Sequence, residues 1–274
     1  MIEPSVKKIP TILNYHSDTL TDNYFWMRLS DEQKESVNPD LQTKDVLDYL
    51  KAENHFLDVN MSDTDELQSK LFDEYVSRIK QDDTSVPYLE NGYIYSSKYE
   101  KGEDYRRYYR KKNKEGSKEE LFLDLPKLAK EQKYFSLGDW SISTNNKILA
   151  YSSDLVSRRE YTIHFKDLIT GEILEDQIDN TTGGITWAND NKTVFYVKKD
   201  EQTLRSHKIF KHVLGTDSAD DELVFEEKDE TYSCYVYKSK SHKYLFIGSY
   251  QTLATEIRFL DANEPNGDWT ILHP

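Results

Sequence analysis

GYIYSSKY (Gly92–Tyr99), KILAYSSD (Lys147–Asp154), KTVFYVKK (Lys192–Lys199) and KYLFIGSY (Lys243–Tyr250) are four versions of one phrase. Each opens on a turn-forming or charged residue and continues as a short aromatic and β-branched run. Counted from the first residue of each, the steps are 55, 45 and 51 residues. Self-similarity at about 40–50 residues with strand-type composition marks a β-propeller, one blade per unit. Around each phrase lie further strand-like runs with polar turns between them, and four short antiparallel strands per unit is blade anatomy.

Working outward, the first unit reads as strands near 92–99, 105–112 and 120–124. The second has strands near 135–143, 147–154, 161–168 and 173–178. The third runs through 184–188, 192–199, 208–214 and 222–226, and the fourth through 233–238, 243–249, 256–260 and 268–272. Asn145-Asn146 and Asp190-Asn191 fall between strands, where side chains that tolerate left-handed backbone suit tight turns. The expected blades are residues 85–130, 131–179, 180–228 and 229–274, forming a partial propeller. A propeller closes to hide its strand edges, and rings hold about four to eight blades. The fourth unit ends on its own last strand, with no segment left to close a ring, so an incomplete ring is expected.

Residues 1–84 have a different texture. Up to about residue 40 the chain is rich in Asp, Ser, Thr and Asn and reads as an extended arm with short turns. Two helices are expected next. In 46–58, Val46, Leu47, Leu50 and Leu57 share a face, with Thr43 as cap. In 66–80, Leu67, Leu71, Tyr75 and Ile79 form an apolar stripe widened by Phe72 and Val76, with Asp63 and Glu66 as a capping box. An apolar stripe of this kind asks for a docking surface.

The chain has 274 residues, enough for a large core without staples. A mean hydropathy of −0.82 is polar for a globular chain. Twenty Tyr and eleven Phe offset this, because large rings supply buried area in narrow strands. The formal net charge of −14 repels phosphate backbones and argues against nucleic acid as a partner. It favours cationic ligands, although solubility alone explains such a surface. Cys234 is the only cysteine, which excludes an internal disulfide or a thiolate zinc site, and its strand-like setting predicts a buried thiol. No run of about 18 apolar residues and no export signal is visible. Membrane is not an expected partner, and the expected location is the cytoplasm.

Chemistry is sparse. None of the ten glycines begins a G-x-S-x-G elbow, a G-x-G-x-x-G turn or a phosphate loop. The seven histidines are scattered without metal-ligand spacing, so no metal site is expected. No catalytic residue can be assigned in this chain. Asp82-Asp83 reads as a polar turn leaving the second helix in preference to an acid–base pair. Tyr105–Tyr109 with Arg106, Arg107 and Arg110 imitates a base-stacking strip, but strand alternation and net acidity favour a structural role. Trp140 and Trp187 occupy first-strand positions and read as core rings. Arg158-Arg159 lies in a turn between two strands of the second unit, at one mouth of a propeller. Either a solvated basic turn or an ion-pair contact fits it.

Several long segments, in order, resemble the N-terminal part of oligopeptidase B, in the prolyl oligopeptidase family of serine peptidases. They are DNYFWMR (Asp22–Arg28), YLKAEN (Tyr49–Asn54), LFDEYVSRIKQDDTSVP (Leu71–Pro87), YFSLGDW (Tyr134–Trp140), SRREYTIHFKDLITGE (Ser157–Glu172), TWANDNKTVFYVKKD (Thr186–Asp200) and EEKDETYSCYV (Glu226–Val236). Met27 and Cys234 are small departures. The resemblance implies an N-terminal helical arm, a seven-bladed propeller and a C-terminal α/β-hydrolase domain in cis. That domain carries the Ser-Asp-His triad and cleaves short basic oligopeptides after Arg or Lys without a cofactor, while the propeller restricts access. It further implies that Arg159 faces the catalytic domain as an interdomain ion-pair contact. On this reading the chain is a front portion ending before the triad and is inactive alone. The alternative is a non-catalytic remnant or interaction module whose open edges pair two chains.

Overall fold

The structure is a computed structural model and describes residues 2–273. The chain divides into two compact units, Met1–Lys80 and Gln81–Pro274.

The first unit opens with an antiparallel hairpin of β1 (Thr11–Tyr15) and β2 (Asp18–Asp22). His16 and Ser17 make its two-residue turn with positive φ, the backbone that matches strand twist. A 3-10 turn at Phe25–Met27 leads to α1 (Asp31–Glu35), α2 (Leu41–Met61) and α3 (Asp65–Ser77). Thr43 does not cap α2. The cap is Asp40, whose carboxylate accepts the Thr43 amide at 2.7 Å, so the helix starts ahead of its apolar periodicity. That hydrogen bond also holds the Asp40 carboxyl below its ordinary pKa. The Asp63–Glu66 capping box is likewise not formed. Residues Ser62–Thr64 make a 3-10 turn continuous with α3, and the N-cap Thr64 donates its hydroxyl back to the Met61 carbonyl. A capping box does form at α1, between Ser30 and Gln33. The α3 stripe faces solvent, with Phe72 67% and Tyr75 65% exposed.

The second unit is an incomplete propeller of four-stranded blades. Blade one is β3 (Tyr88–Glu90), β4 (Tyr93–Lys98), β5 (Arg107–Lys112) and β6 (Glu120–Asp124), followed by the short α4 (Leu125–Ala129). Blade two is β7 (Ser136–Ile142), β8 (Ile148–Asp154), β9 (Tyr161–Asp167) and β10 (Ile173–Thr181). Blade three is β11 (Thr186–Trp187), β12 (Thr193–Lys199), β13 (Ser206–Val213) and β14 (Glu222–Glu226). Blade four is β15 (Ser233–Lys238), β16 (Tyr244–Tyr250), β17 (Thr255–Asp261) and β18 (Thr270–Ile271). Consecutive strands pair antiparallel within each blade. The end of β10 also pairs with β12 through Thr181 and Lys198, so blades two and three share one eight-stranded sheet.

The strand at Tyr88–Glu90 is not among those expected, because three exposed residues after Pro87 carry no apolar alternation. The strand expected at 184–188 shortens to two residues. Gly183 takes φ +94°, and pairing begins only at Thr186.

Apolar side chains fill the spaces between successive blades. Tyr95, Phe122, Leu149 and Tyr151 pack between blades one and two, and Phe165, Ile178, Trp187 and Tyr196 between two and three. Phe195, Leu245 and Leu260 pack between three and four, with Val197, Ile209, Cys234 and Ile247 beside them. Complete burial of each such side chain contributes about 1.5–3 kcal/mol. The same burial pushes the Cys234 thiol up to about 12, leaving a small apolar group with little thiolate character.

Candidate functional site

The phrase that repeats in the sequence has a structural origin. In each blade the turn between the first two strands contains one non-glycine residue in the left-handed region: Asn91 (φ 45°), Asn146 (63°), Asn191 (63°) and His242 (58°). Asn91 is followed by Gly92 at φ +80°, the Asn-Gly pair that such hairpins favour. These turns are tied to one another. Asn91 donates its side-chain amide to the Thr144 carbonyl at 2.6 Å, and Asn146 donates to the Asn91 carbonyl at 3.2 Å. Asn191 accepts the Asn145 amide at 2.6 Å, and Asn189 donates to the His242 carbonyl at 2.9 Å. Local turn chemistry therefore also sets the spacing between blades, and it places all four turns at one end of the channel.

Inside that end lies a cavity of about 610 Å3, bounded by first-strand residues of all four blades. Trp140 and Trp187 form part of its wall. Trp187 is buried and donates its indole N–H to the Ser141 carbonyl at 3.2 Å. Trp140 stacks at angles against Phe122 and Tyr108. The two rings thus belong to the core, as their strand positions suggest, and also face the channel. Asp139 and Glu90 bring carboxylates to the cavity, Lys238 and Lys240 bring ammonium groups, and His242 brings an imidazole. Burial raises the Asp139 carboxyl, only partly opposed by its hydrogen bonds from backbone amides. Lys238 Nζ donates to the Thr144 hydroxyl at 3.2 Å. Burial pulls its ammonium down to about 8, with the charge of Asp190 opposing.

Arg158 and Arg159 lie in the β8–β9 turn, at the end of the sheet opposite the inner hairpin turns, and both are exposed. Among the described residues neither guanidinium makes an ion pair. The turn beneath them is held firmly. Asp154, 1% exposed, accepts the amides of Val156 at 2.7 Å, Ser157 at 3.0 Å and Arg159 at 2.7 Å. Ser157 and Arg159 take positive φ, and Lys199 donates to the Arg159 carbonyl. One carboxylate thus holds three amides of the turn from which the two arginines project. Asp154→Ala should raise amide hydrogen exchange across residues 155–160 at least about tenfold and cost about 1–3 kcal/mol of stability. Unchanged protection by mass spectrometry would show that the loop holds its shape without the carboxylate.

The other residues singled out in the sequence take structural places. Arg106 covers the Tyr99 ring at 4.6 Å, and Arg107 pairs with Glu103, Glu100 and Asp124. Arg110 is buried, pairs with Glu120, donates to the Asn146 carbonyl at 3.0 Å and covers Tyr93. Each guanidinium is therefore committed within or between blades one and two. Asp82 and Asp83 lie in the connection after α3, where the Asp83 carbonyl accepts the Tyr99 amide at 2.8 Å.

Sequence reading missed Lys238, Asp139 and Asp154. A signal existed for the first: Cys234, Val236 and Lys238 alternate on the less exposed face of β15, so the pattern carries a cation inward.

The sequence profile described as "Prolyl oligopeptidase, N-terminal beta-propeller domain" matches residues 4–273. A dipeptidyl aminopeptidase BI from Pseudoxanthomonas mexicana is 37% identical over 99% of this chain and 38% of its own length. A protease 2 from Moraxella lacunata is 31% identical over 96% of this chain and 37% of its own. The structure of oligopeptidase B from Leishmania major superposes with a TM-score of 0.87 at 27% identity, covering 99% of this chain and 40% of that one. The chain thus spans somewhat over a third of the length of the proteins it resembles.

Proposed function

The chain belongs to the prolyl oligopeptidase family, as part of its N-terminal β-propeller domain, and from that premise we propose that it is the access-limiting portion of a serine-type oligopeptidase cleaving short peptides after Arg or Lys. The observation that carries the reading is the family match across residues 4–273, together with the oligopeptidase B structure at TM-score 0.87. In this proposal a C-terminal α/β-hydrolase domain in cis supplies the triad, acyl transfer to water and the oxyanion donors. The propeller contributes exclusion by size, since only short, flexible peptides pass its channel. Net charge −14 supports basic peptides as the substrate class, by raising their local concentration. The cytoplasm is the proposed location; among the described residues no helix is long and apolar enough to cross a membrane.

Arg159 fits an interdomain contact: exposed, unpaired among the described residues, and fixed by Asp154. An ion pair there shifts a balance of open and closed states by a few tenths to about 1 kcal/mol.

A second reading has its own support. The 37% identical relative is a dipeptidyl aminopeptidase, so the intact protein would release dipeptides from free N-termini. Two chromogenic substrates separate these readings, one with Arg before the leaving group and a blocked N-terminus, the other an unblocked dipeptide. The protein read from the full open frame should hydrolyse the blocked Arg substrate, and the 274-residue chain should hydrolyse neither. Turnover by this chain alone would end the access-limiting reading, and preference for the unblocked dipeptide would favour the second.

A further inference from the structure

The cavity at the inner-turn end of the channel has a property that peptide exclusion does not require. Lys238 is half-buried at the end of β15, and its ammonium has three protons to place. Among the described residues it finds one acceptor, the Thr144 hydroxyl, and no carboxylate within ion-pair distance. The Thr144 hydroxyl proton is directed to Asn189 Oδ1 at 3.3 Å, which leaves its oxygen free to accept from Lys238. Partial burial disfavours the charged form of this side chain, and an anion beside it would offset that cost. Lys240 and His242 stand on the turn that follows β15 and line the same mouth. Two lysines and an imidazole therefore line one cavity in a chain of net charge −14.

We propose that this mouth is a binding site for a carboxylate, that of a short peptide with a free C-terminus, with Lys238, held by the Thr144 hydroxyl, at its centre and Lys240 and His242 along the same wall. Asp139 and Glu90, in the same cavity, repel a second negative charge and so favour a monoanionic or zwitterionic ligand over a polyanion. Trp140 and Trp187 supply apolar wall for the peptide's body. The inner turns lie at the end of their sheets opposite the Arg158-Arg159 turn, so the site is separate from that loop. The inference does not rest on the peptidase reading, because binding is measured without turnover.

The test is a titration of the 274-residue chain with N-acetyl-glycylglycine and with its C-terminal amide, followed by the fluorescence of the two cavity tryptophans. The acid should give a saturable change and the amide none. Lys238→Met, shown to be folded by near-ultraviolet circular dichroism, should weaken the acid at least about tenfold, and Lys238→Arg should retain most of the response. If Lys238→Met fails to fold, the doubly substituted Lys240→Ala, His242→Asn chain serves instead. Asparagine suits the left-handed backbone at 242, and a several-fold weakening is expected. In the His242→Asn background the response should fall as pH rises through about 8, where Lys238 loses its proton. Asp190 is the charge that acts on it, and Asp139, Glu90 and Lys240 line the same cavity. Equal response to acid and amide, or no effect of Lys238→Met and the double substitution, overturns the proposal. A response to inorganic phosphate without one to N-acetyl-glycylglycine also overturns it, in favour of a phosphate site.

Discussion

His212→Leu is expected to destabilise the joined sheet of blades two and three by about 3–5 kcal/mol at mildly acidic pH, read as a fall in the urea midpoint. His212, on β13, is fully buried and lies between two carboxylates from different elements. With both ring nitrogens protonated, Nδ1 donates to Asp221 at 2.7 Å and Nε2 donates to Asp176, on β10, at 3.2 Å. The Tyr196 hydroxyl donates to the second oxygen of Asp221 at 2.8 Å, and the Phe165 ring stacks on the imidazole. Leucine fills the volume but leaves Asp176 and Asp221 buried, at 10% and 2% exposure, without their cation. An isolated buried charge is the costly outcome, far more so than loss of the pair as a whole.

The unsubstituted protein should carry the same signature in its pH dependence. Burial disfavours the imidazolium, but the hydrogen bonds and charges of Asp221 and Asp176 together outweigh it, so the pKa is raised above 6.5. A raised pKa means that the folded state binds the proton more tightly than the unfolded one. The stabilisation is therefore complete below about 6.5 and is lost as pH rises through the higher folded value. Urea midpoints measured across that interval should decline in the native chain and stay level in His212→Leu. A native chain whose stability is flat there would mean that the ring is neutral and the pair uncharged.

Gly138→Ala is the second large effect, at about 1–3 kcal/mol. A Cβ built on Gly138, within β7, comes 2.5 Å from Ser152 Oγ and 2.7 Å from the Tyr161 ring. Neither neighbour moves freely. Ser152 accepts the Asp139 amide at 2.9 Å and donates to the Gly183 carbonyl at 2.7 Å, and a Cβ built on Gly183 would also come 2.9 Å from the Tyr161 ring. Ring, hydroxyl and two glycines form one close-packed layer, so a single methyl pushes β7 away from β8. Combining Gly138→Ala with Tyr161→Ala in a double-mutant cycle should recover part of the loss, with a coupling of at least about 0.5 kcal/mol. Strict additivity of the two substitutions would place the strain elsewhere.

Both expectations depend on contacts that differ in how far the sequence discloses them. The inner hairpins were legible. Each is a local event, a left-handed turn residue followed by a β-rich run, and Asn91, Asn146, Asn191 and His242 keep the spacing of the repeating phrase. The α2 cap differs from the expected Thr43 for an equally local reason: apolar periodicity begins at Val46, whereas helix formation begins where Asp40 satisfies free amides. The blade-one strand β3 left no trace because none of its residues is buried.

The sequence alone determined that this chain builds successive four-stranded blades after a helical arm, since turn chemistry and alternation act over a few residues. It also disclosed the family, through long ordered segments. Tertiary structure alone decided which charges are buried and with what. Asp176 and Asp221 stand 36 and 9 positions from His212, and Thr144 stands 94 from Lys238. Isolated in sequence, these are ordinary polar residues. They come to depend on one another, with the His212 pKa raised and that of Lys238 lowered, only when neighbouring blades pack and remove water from between them.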